Sequence, residues 1–203
     1  ITIKSTTALG AHIVPSGAGA NHYGFYVERA YWVIEGFDIH GNAASNNNVG
    51  IVLIVGTGNV VRGNHIHDIA RTVCSNTTNG FGGIYAEAGA SSLTITKNQI
   101  NTVGRLRNGE SGCSTTLTSN DHGIYLSGAN GVTITYNVFY DNNRGYNIQH
   151  FRSGATGTGI VIEHNTFAGK SPTGTPNGQI RLASTITNST IKNNISYVPE
   201  EGM

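Results

Sequence analysis

Charged side chains are scarce in this chain of 203 residues. Lysine, arginine, aspartate and glutamate make up 11% of it, against about a quarter in ordinary globular proteins, and the formal net charge is +1. A chain so close to neutral gives no electrostatic case for nucleic acid or an anionic membrane surface as a partner. No apolar run reaches the length that a membrane span requires. We therefore expect neither nucleic-acid binding nor a membrane span.

Helical patterns are also missing from the sequence. No window spaces its apolar residues as an amphipathic helix does, while the chain contains 28 glycines and only 4 prolines. A chain of this length can bury one sizeable core. We therefore predict a single all-β domain over residues 1–203.

A sequence repeat runs through the chain. Strands that begin at a glycine alternate with segments that read apolar-x-x-Asn-x-apolar, such as Ile95 to Ile100 and Ile134 to Phe139. The central positions 37, 64, 98, 137, 165 and 194 are separated by 27, 34, 39, 28 and 29 residues. Repeats of this length, built from short strands and turns, indicate a solenoid. We expect the central asparagines to lie at bends and to form a structural ladder inside it.

The repeat resembles the coils of right-handed parallel β-helix proteins of the pectate-lyase-like superfamily. Tyr31 to Ile39 and Asp121 to Leu126 are similar to segments of its bacterial secreted members. The resemblance implies a right-handed parallel β-helix of about six coils, in a protein that is secreted or displayed at the cell surface. Because the superfamily contains lyases, hydrolases, esterases, epimerases and adhesins, the fold alone does not assign a function.

The ends of the chain lead to two further expectations. Ile1 to Ser5 resembles a strand that follows an N-terminal coil and cap in such proteins, so we expect the cap itself to be missing from residues 1–203. Uncovered solenoid ends expose unpaired strand edges. We therefore expect end-to-end contact with a neighbouring segment or chain.

Two coils are lengthened by loops before the next glycine-led strand, at Ala70 to Gly82 and Arg105 to Asp121. The loops leave the same corner of consecutive coils, and each carries one of the two cysteines, Cys74 and Cys113. A disulfide between them would stabilise the fold by roughly 3 to 4 kcal/mol and would indicate an oxidising, exported setting. The alternative is a pair of unpaired buried thiols. Paired-cysteine spacing typical of zinc sites is absent.

The resemblance places a ligand cleft along the glycine-led strands that follow these loops. Counting alternation from each glycine predicts which side chains face outward. Aromatic faces combined with hydrogen-bonding groups and a cation suit a sugar chain. Alternatively, the tyrosines reflect strand propensity and the basic groups bond to turn carbonyls. The expected patch consists of the substrate-binding residues Tyr85, Glu87, Asn147 and Gln149, together with Asp121, His122, Tyr125 and Arg144.

Such a patch suits β-elimination on a polymer that contains uronic acid. Arg144 would neutralise the substrate carboxylate, while His122 or Tyr125 would move the proton. The resemblance also implies calcium in the neutralising role, for which Glu87 and Asp121 provide oxygen ligands. Hydrolysis ranks lower, because the chain has only four aspartates and no two are adjacent. The main alternative is a β-helix without catalytic activity, serving as a glycan-binding module, an adhesin or a structural fibre.

One histidine pair has the spacing of a candidate metal site. His65 and His67 are separated by one residue and so share an outward face of their strand. No third ligand is evident at matching positions of the neighbouring coils. We therefore expect two solvated strand residues here.

Overall fold

A computed structural model describes residues 1–15, 23–41, 51–76, 80–114, 120–142, 144–169 and 178–197. In these ranges the chain winds into a solenoid whose strands all pair in parallel, which confirms the predicted right-handed parallel β-helix. The described helical structure is limited to one 3₁₀ turn, Glu110–Gly112. Within the same ranges, no helix has the length and hydropathy to cross a membrane.

The solenoid has three long sheets and one short pair of strands. The first sheet contains Thr2–Lys4, Val33–Glu35, Val60–Arg62, Thr94–Thr96, Thr133–Thr135, Val161–Glu163 and Thr190–Lys192. The second sheet contains Ala11–Ile13, Phe37–His40, His65–Ile69, Gln99–Val103, Val138–Tyr140, Thr166–Ala168 and Ile195–Tyr197. The third sheet contains Phe25–Val27, Val52–Ile54, Gly82–Ala86, His122–Leu126, Ile148–His150 and Ile180–Leu182. The short pair consists of Thr156–Thr158 and Thr185–Thr187.

Each coil passes from the first sheet through a bend to the second sheet, and then through a loop to the third sheet. The first two sheets have seven strands each, one more than the repeat predicted, because the opening segment forms a coil of its own. The bend of that coil carries Ser5 instead of an asparagine. Its hydroxyl accepts a hydrogen bond from Ala11 N at 3.1 Å and donates one to the Thr7 carbonyl at 2.5 Å.

The core is a set of aliphatic and aromatic columns parallel to the solenoid axis. In the first sheet Ile34, Val61 and Ile95 occupy one register position on successive coils, and each is almost fully buried. In the second sheet the rings of Phe139 and Phe167 stack with their centroids 5.0 Å apart. Each inward side chain packs against the side chain at the same register position of the next coil. An apolar position of the repeat therefore produces a continuous apolar column.

The bends between the first and second sheets hold the expected asparagine ladder. The Oδ1 atom of Asn98 accepts hydrogen bonds from the backbone N of Asn64 at 3.0 Å and from its Nδ2 at 3.1 Å. Asn98 in turn donates from Nδ2 to the Val61 carbonyl at 2.9 Å. The same pattern repeats at Asn137, Asn165 and Asn194. The structural interpretation of these asparagines is confirmed, since their amides are bonded inside the solenoid.

We expect replacement of Asn137 by alanine to lower the free energy of unfolding by about 2 to 4 kcal/mol. The substitution removes the hydrogen-bond partners of the Asn98 backbone N–H and of the Ile95 carbonyl, and both groups lie in a buried bend. Asn194→Ala is the matched control, since this last rung is half-buried. Its effect should be near 1 kcal/mol. Urea unfolding monitored by circular dichroism gives both values, and equal effects would contradict a ladder whose contribution depends on burial.

Candidate functional site

A groove of about 300 Å³ lies over the outer face of the third sheet, beside the two long loops. Its floor is an in-register column on successive coils, from Tyr85 and Tyr125 to Gln149 and Arg181. The complete lining is Gly80, Phe81, Gly82, Tyr85, Asn120, His122, Tyr125, Gln149, Phe151 and Arg181. The groove therefore brings together four of the expected residues, Tyr85, His122, Tyr125 and Gln149.

The two long loops form one wall of the groove. The predicted disulfide joins Cys74 to Cys113, with their Cα atoms 5.5 Å apart. The loops also touch at Gly80, where a Cβ atom would lie only 1.6 Å from the Asn120 carbonyl oxygen. Only a glycine permits this approach. The wall is thus held by a covalent bond and by close backbone contact.

A buried ion pair supports this wall from inside. The Asp121 carboxylate accepts hydrogen bonds from Arg105 Nη2 at 2.8 Å and Nε at 3.0 Å, and from the backbone N of Phe81 and of Arg105. Arg144 Nε lies 3.9 Å from the same carboxylate, and its Nη1 donates to the Ser75 carbonyl at 3.1 Å. Removal of one partner of such a fully buried ion pair would leave the opposite charge buried and unpaired. These groups therefore hold the loops in place.

The predicted catalytic role of Arg144 is wrong in this structure. Its side chain is fully buried in the network beneath the loops, so it cannot reach a polymer on the outer face. The alternative expectation, in which the basic groups bond to turn carbonyls, agrees with the hydrogen bond that Arg144 donates to the Ser75 carbonyl. The expected calcium pair finds no support either, because both Asp121 oxygens are bonded to Arg105, while Glu87 is exposed.

The expected outward position of Asn147 is also wrong. Its Oδ1 accepts from Asn142 Nδ2 at 2.5 Å and its Nδ2 donates to Gln179 Oε1, so the side chain faces the interior. Counting from Gly145 misplaced the register by two residues. Tyr125 pairs with Gln149, which therefore takes the groove position.

His122 is held at the edge of the groove in one protonation state. Its Nδ1 accepts a hydrogen bond from the backbone N of Tyr146 at 3.0 Å, so the neutral ring carries its proton on Nε2. Burial lowers the pKa of His122 to about 4, which keeps the ring neutral near pH 7. Gly145 makes this contact possible, because a Cβ there would lie 1.9 Å from the Asp121 carbonyl oxygen. Among the described residues, none bonds to Nε2.

The other polar groups of the groove differ in their availability. The Tyr125 hydroxyl donates to the Phe151 carbonyl at 3.1 Å, and burial raises the pKa of this phenol, so it stays protonated. The Oε1 atom of Gln149 is buried without a hydrogen-bond partner. The Arg181 guanidinium lies 5.3 Å from the Tyr146 ring centroid, and the described residues of the groove lining include no carboxylate. Among the described residues, the groove thus combines the Nε2–H donor of His122, the amide of Gln149 and the cation of Arg181.

Arg181 and Phe151 are groove residues that the sequence reasoning missed. The signal was present in the order of residue types. Asn147-Ile148-Gln149 and Gln179-Ile180-Arg181 carry an apolar centre at the position of Ile124 in Gly123-Ile124-Tyr125. An alignment of Ile148 and Ile180 with Ile124, instead of an alignment of the glycines, places the side chains of Gln149 and Arg181 outward.

A second polar cluster lies on the outer face of the second sheet, where the expectation of two solvated histidines was wrong. Asp38 of the preceding coil provides the third group next to His65 and His67. Asp38 Oδ1 lies 2.8 Å from His67 Nε2 and 3.3 Å from His65 Nδ1. His12 of the coil before that bonds to Oδ2 at 2.6 Å. We call Asp38, His65 and His67 the histidine cluster; these are the described residues that could hold a metal ion.

We expect nuclear magnetic resonance to find His122 as the Nε2–H tautomer with a pKa of about 4. Between pH 6.5 and 4 the unfolded chain binds a proton at this ring that the folded protein does not. The His122 contribution to the free energy of unfolding should therefore fall as pH falls through this window, by up to roughly 3 kcal/mol. The His122→Gln variant should lose that part of the pH dependence. A pKa near 6.5, or a proton on Nδ1, would contradict the assignment.

Comparison with known proteins gives one family. Residues 6–171 match the model of the NosD family, described as periplasmic copper-binding protein. Searches of curated proteins and of solved structures returned no significant match. The family model covers both the groove strands up to Ile148–His150 and the histidine cluster, and it spans well over half of the chain. The chain therefore belongs to the NosD family.

Proposed function

We propose that this protein binds an acidic glycan in the groove of the third sheet without cleaving it. The observation that carries the proposal is the pairing of buried polar atoms with aromatic surface. The Oε1 of Gln149 is a buried atom of the groove lining without a hydrogen-bond partner. The His122 side chain beside it is about 95% buried, and its Nε2–H has no partner among the described residues. Buried polar atoms normally have hydrogen-bond partners, so a ligand that supplies them is favoured.

The groove has the features of a site for a sugar ring. The rings of Tyr85 and Tyr125 lie with their centroids 5.2 Å apart at a 53° angle, and Phe151 is 39% exposed beside them. Aromatic surfaces of this kind pack against the apolar face of a sugar, while its hydroxyl groups take the polar partners.

Arg181 gives the reason to expect an acidic glycan. Its guanidinium is the cationic group in the described lining, and that lining contains no carboxylate. An arginine binds carboxylate or sulfate through two parallel hydrogen bonds, which a neutral sugar cannot form with equal strength.

β-Elimination stays a prediction, and the proton positions favour binding alone. A base needs a free lone pair directed at the substrate. The neutral ring of His122 carries its proton on the available nitrogen, and Tyr125 is a protonated phenol that donates to a carbonyl. Neither group can accept the proton that elimination removes.

An exported location agrees with two observations. The family description places its members in the periplasm, and the Cys74–Cys113 disulfide requires an oxidising compartment. We propose that this protein works outside the cytoplasm, where acidic polysaccharides are accessible.

Copper binding is a second candidate function, since the family description names it. The observation in its favour is the concentration of imidazoles on the outer face of the second sheet, where His12, His40, His65 and His67 lie on three successive coils. Imidazole is a preferred ligand of copper.

Removal of the Arg181 guanidinium should weaken binding of oligogalacturonate or oligoalginate about 10- to 100-fold, which is the loss expected for charge-assisted hydrogen bonds. Lys192→Ala is the matched control, because it removes an exposed cation from the first sheet and should leave affinity unchanged. Isothermal titration calorimetry measures both. Equal affinities for wild type and Arg181→Ala would reject the acidic-glycan assignment.

Incubation with pectate, alginate or glycosaminoglycan should produce no growth of the ultraviolet absorbance of unsaturated uronates, with calcium or with chelator, because the described residues of the groove lining present no base. The same samples should show binding by calorimetry. Absorbance growth that is lost in His122→Gln would restore the elimination hypothesis and show that the ring deprotonates Nε2 or changes tautomer in the complex.

A further inference from the structure

We propose that the histidine cluster binds one divalent transition-metal ion, with Asp38 Oδ1, His65 Nδ1 and His67 Nε2 as the protein ligands. This inference rests on copper binding as the second candidate function and deepens it by naming the site. It is independent of the glycan groove, which lies on a different sheet.

Three potential ligand atoms converge because three strand positions are fixed by register. Asp38 pairs with His65 across neighbouring strands, and His67 follows on the same outward face. The donor atoms of the three residues all lie within 4.8 Å of one another. The imidazole rings of His65 and His67 stack with centroids 4.0 Å apart, so both rings reach the carboxylate from the same side of the strand pair.

The outer nitrogens of both rings are already bonded to oxygen acceptors. His67 Nδ1 lies 2.7 Å from Asp68 Oδ2, and His65 Nε2 lies 2.7 Å from Asn101 Oδ1. The Gln99 amide is farther from His65 Nε2, at 3.3 Å. A carboxylate or amide oxygen at the outer nitrogen takes its proton, fixes the tautomer and leaves the inner nitrogen with its lone pair.

This arrangement leaves three electron-pair donors facing one point. His65 Nδ1 and His67 Nε2 lie 3.3 and 2.8 Å from Asp38 Oδ1, so one cation placed among the three atoms would contact a lone pair of each. A proton can satisfy one such contact. A metal ion satisfies all three at once, displacing that proton, as ligand binding to histidine sites generally does.

The donor set selects the class of metal. Two imidazoles and one carboxylate suit Cu²⁺, Zn²⁺ and Ni²⁺, whereas Ca²⁺ requires six to eight oxygen ligands. For a given set of nitrogen and oxygen ligands, affinity is highest for Cu²⁺ among first-row divalent ions. The side chains of His65 and His67 are 23% and 16% exposed, so an ion can enter from solvent. His12 holds the other Asp38 oxygen from the exposed side.

Titration of the full chain with CuCl₂, followed by electron paramagnetic resonance and equilibrium dialysis, tests the proposal. We expect one ion per chain with nitrogen coupling in its spectrum. His65→Ala and His67→Ala should each weaken binding at least 100-fold, and Asp68→Asn about 10-fold, because loss of a ligand costs more than loss of a group that orients one. His164→Asn is the matched control, since it removes an exposed imidazole elsewhere and should change nothing.

A measurement on the unaltered protein guards against variants that fail to fold. Substoichiometric Cu²⁺ should broaden the ring resonances of His65 and His67 before those of His164. If Cu²⁺ binds but the His65 and His67 variants retain full affinity, the site is wrong while copper binding stands. If the wild type binds no Cu²⁺ at all, both the site and the second candidate function are wrong.

Discussion

The amide ladder at the bend between the first and second sheets is the constraint on which the rest of the structure depends. Each asparagine bonds both to the backbone and to the side chain of the next coil, so every coil stacks in fixed register on its neighbour. Because register is fixed at the bend, outward residues of successive coils form straight columns. The groove floor and the histidine cluster are two such columns on different sheets.

The loops depend on a second constraint, the buried carboxylate of Asp121. It bonds to backbone N–H groups of both long loops and to the Arg105 guanidinium, while the Cys74–Cys113 disulfide joins the same two loops covalently. Charged groups buried at this depth organise the groove wall rather than contact a ligand. Arg181 is the charged group among the described residues of the groove lining, and the proposed preference for acidic ligands rests on it.

Asn137 and the disulfide could be predicted because they follow from the spacing of equivalent positions on successive coils, and the outward tyrosines because they follow from alternation along a strand. The positions of Arg144 and Asn147 were predicted wrongly, because the register of their strand depends on the backbone conformation of the residues just before it. Gly123 lies within its strand, whereas Gly145 adopts a positive φ of 78° before its strand and does not mark the same position. The position of Asp38 also follows from the repeat, in which Phe37 takes the place of Asn64. Advancing that alignment by one residue places Asp38 beside His65.

We propose that the third-sheet groove binds an acidic sugar through Arg181, His122 and the two tyrosines. A crystal structure of the protein with an oligogalacturonate tests it most directly. We expect a sugar ring over Tyr85 and Tyr125, with its carboxylate paired with Arg181 and one of its oxygens within hydrogen-bond distance of His122 Nε2. An oligosaccharide bound on another face, or in the groove with its carboxylate directed away from Arg181, would contradict the account.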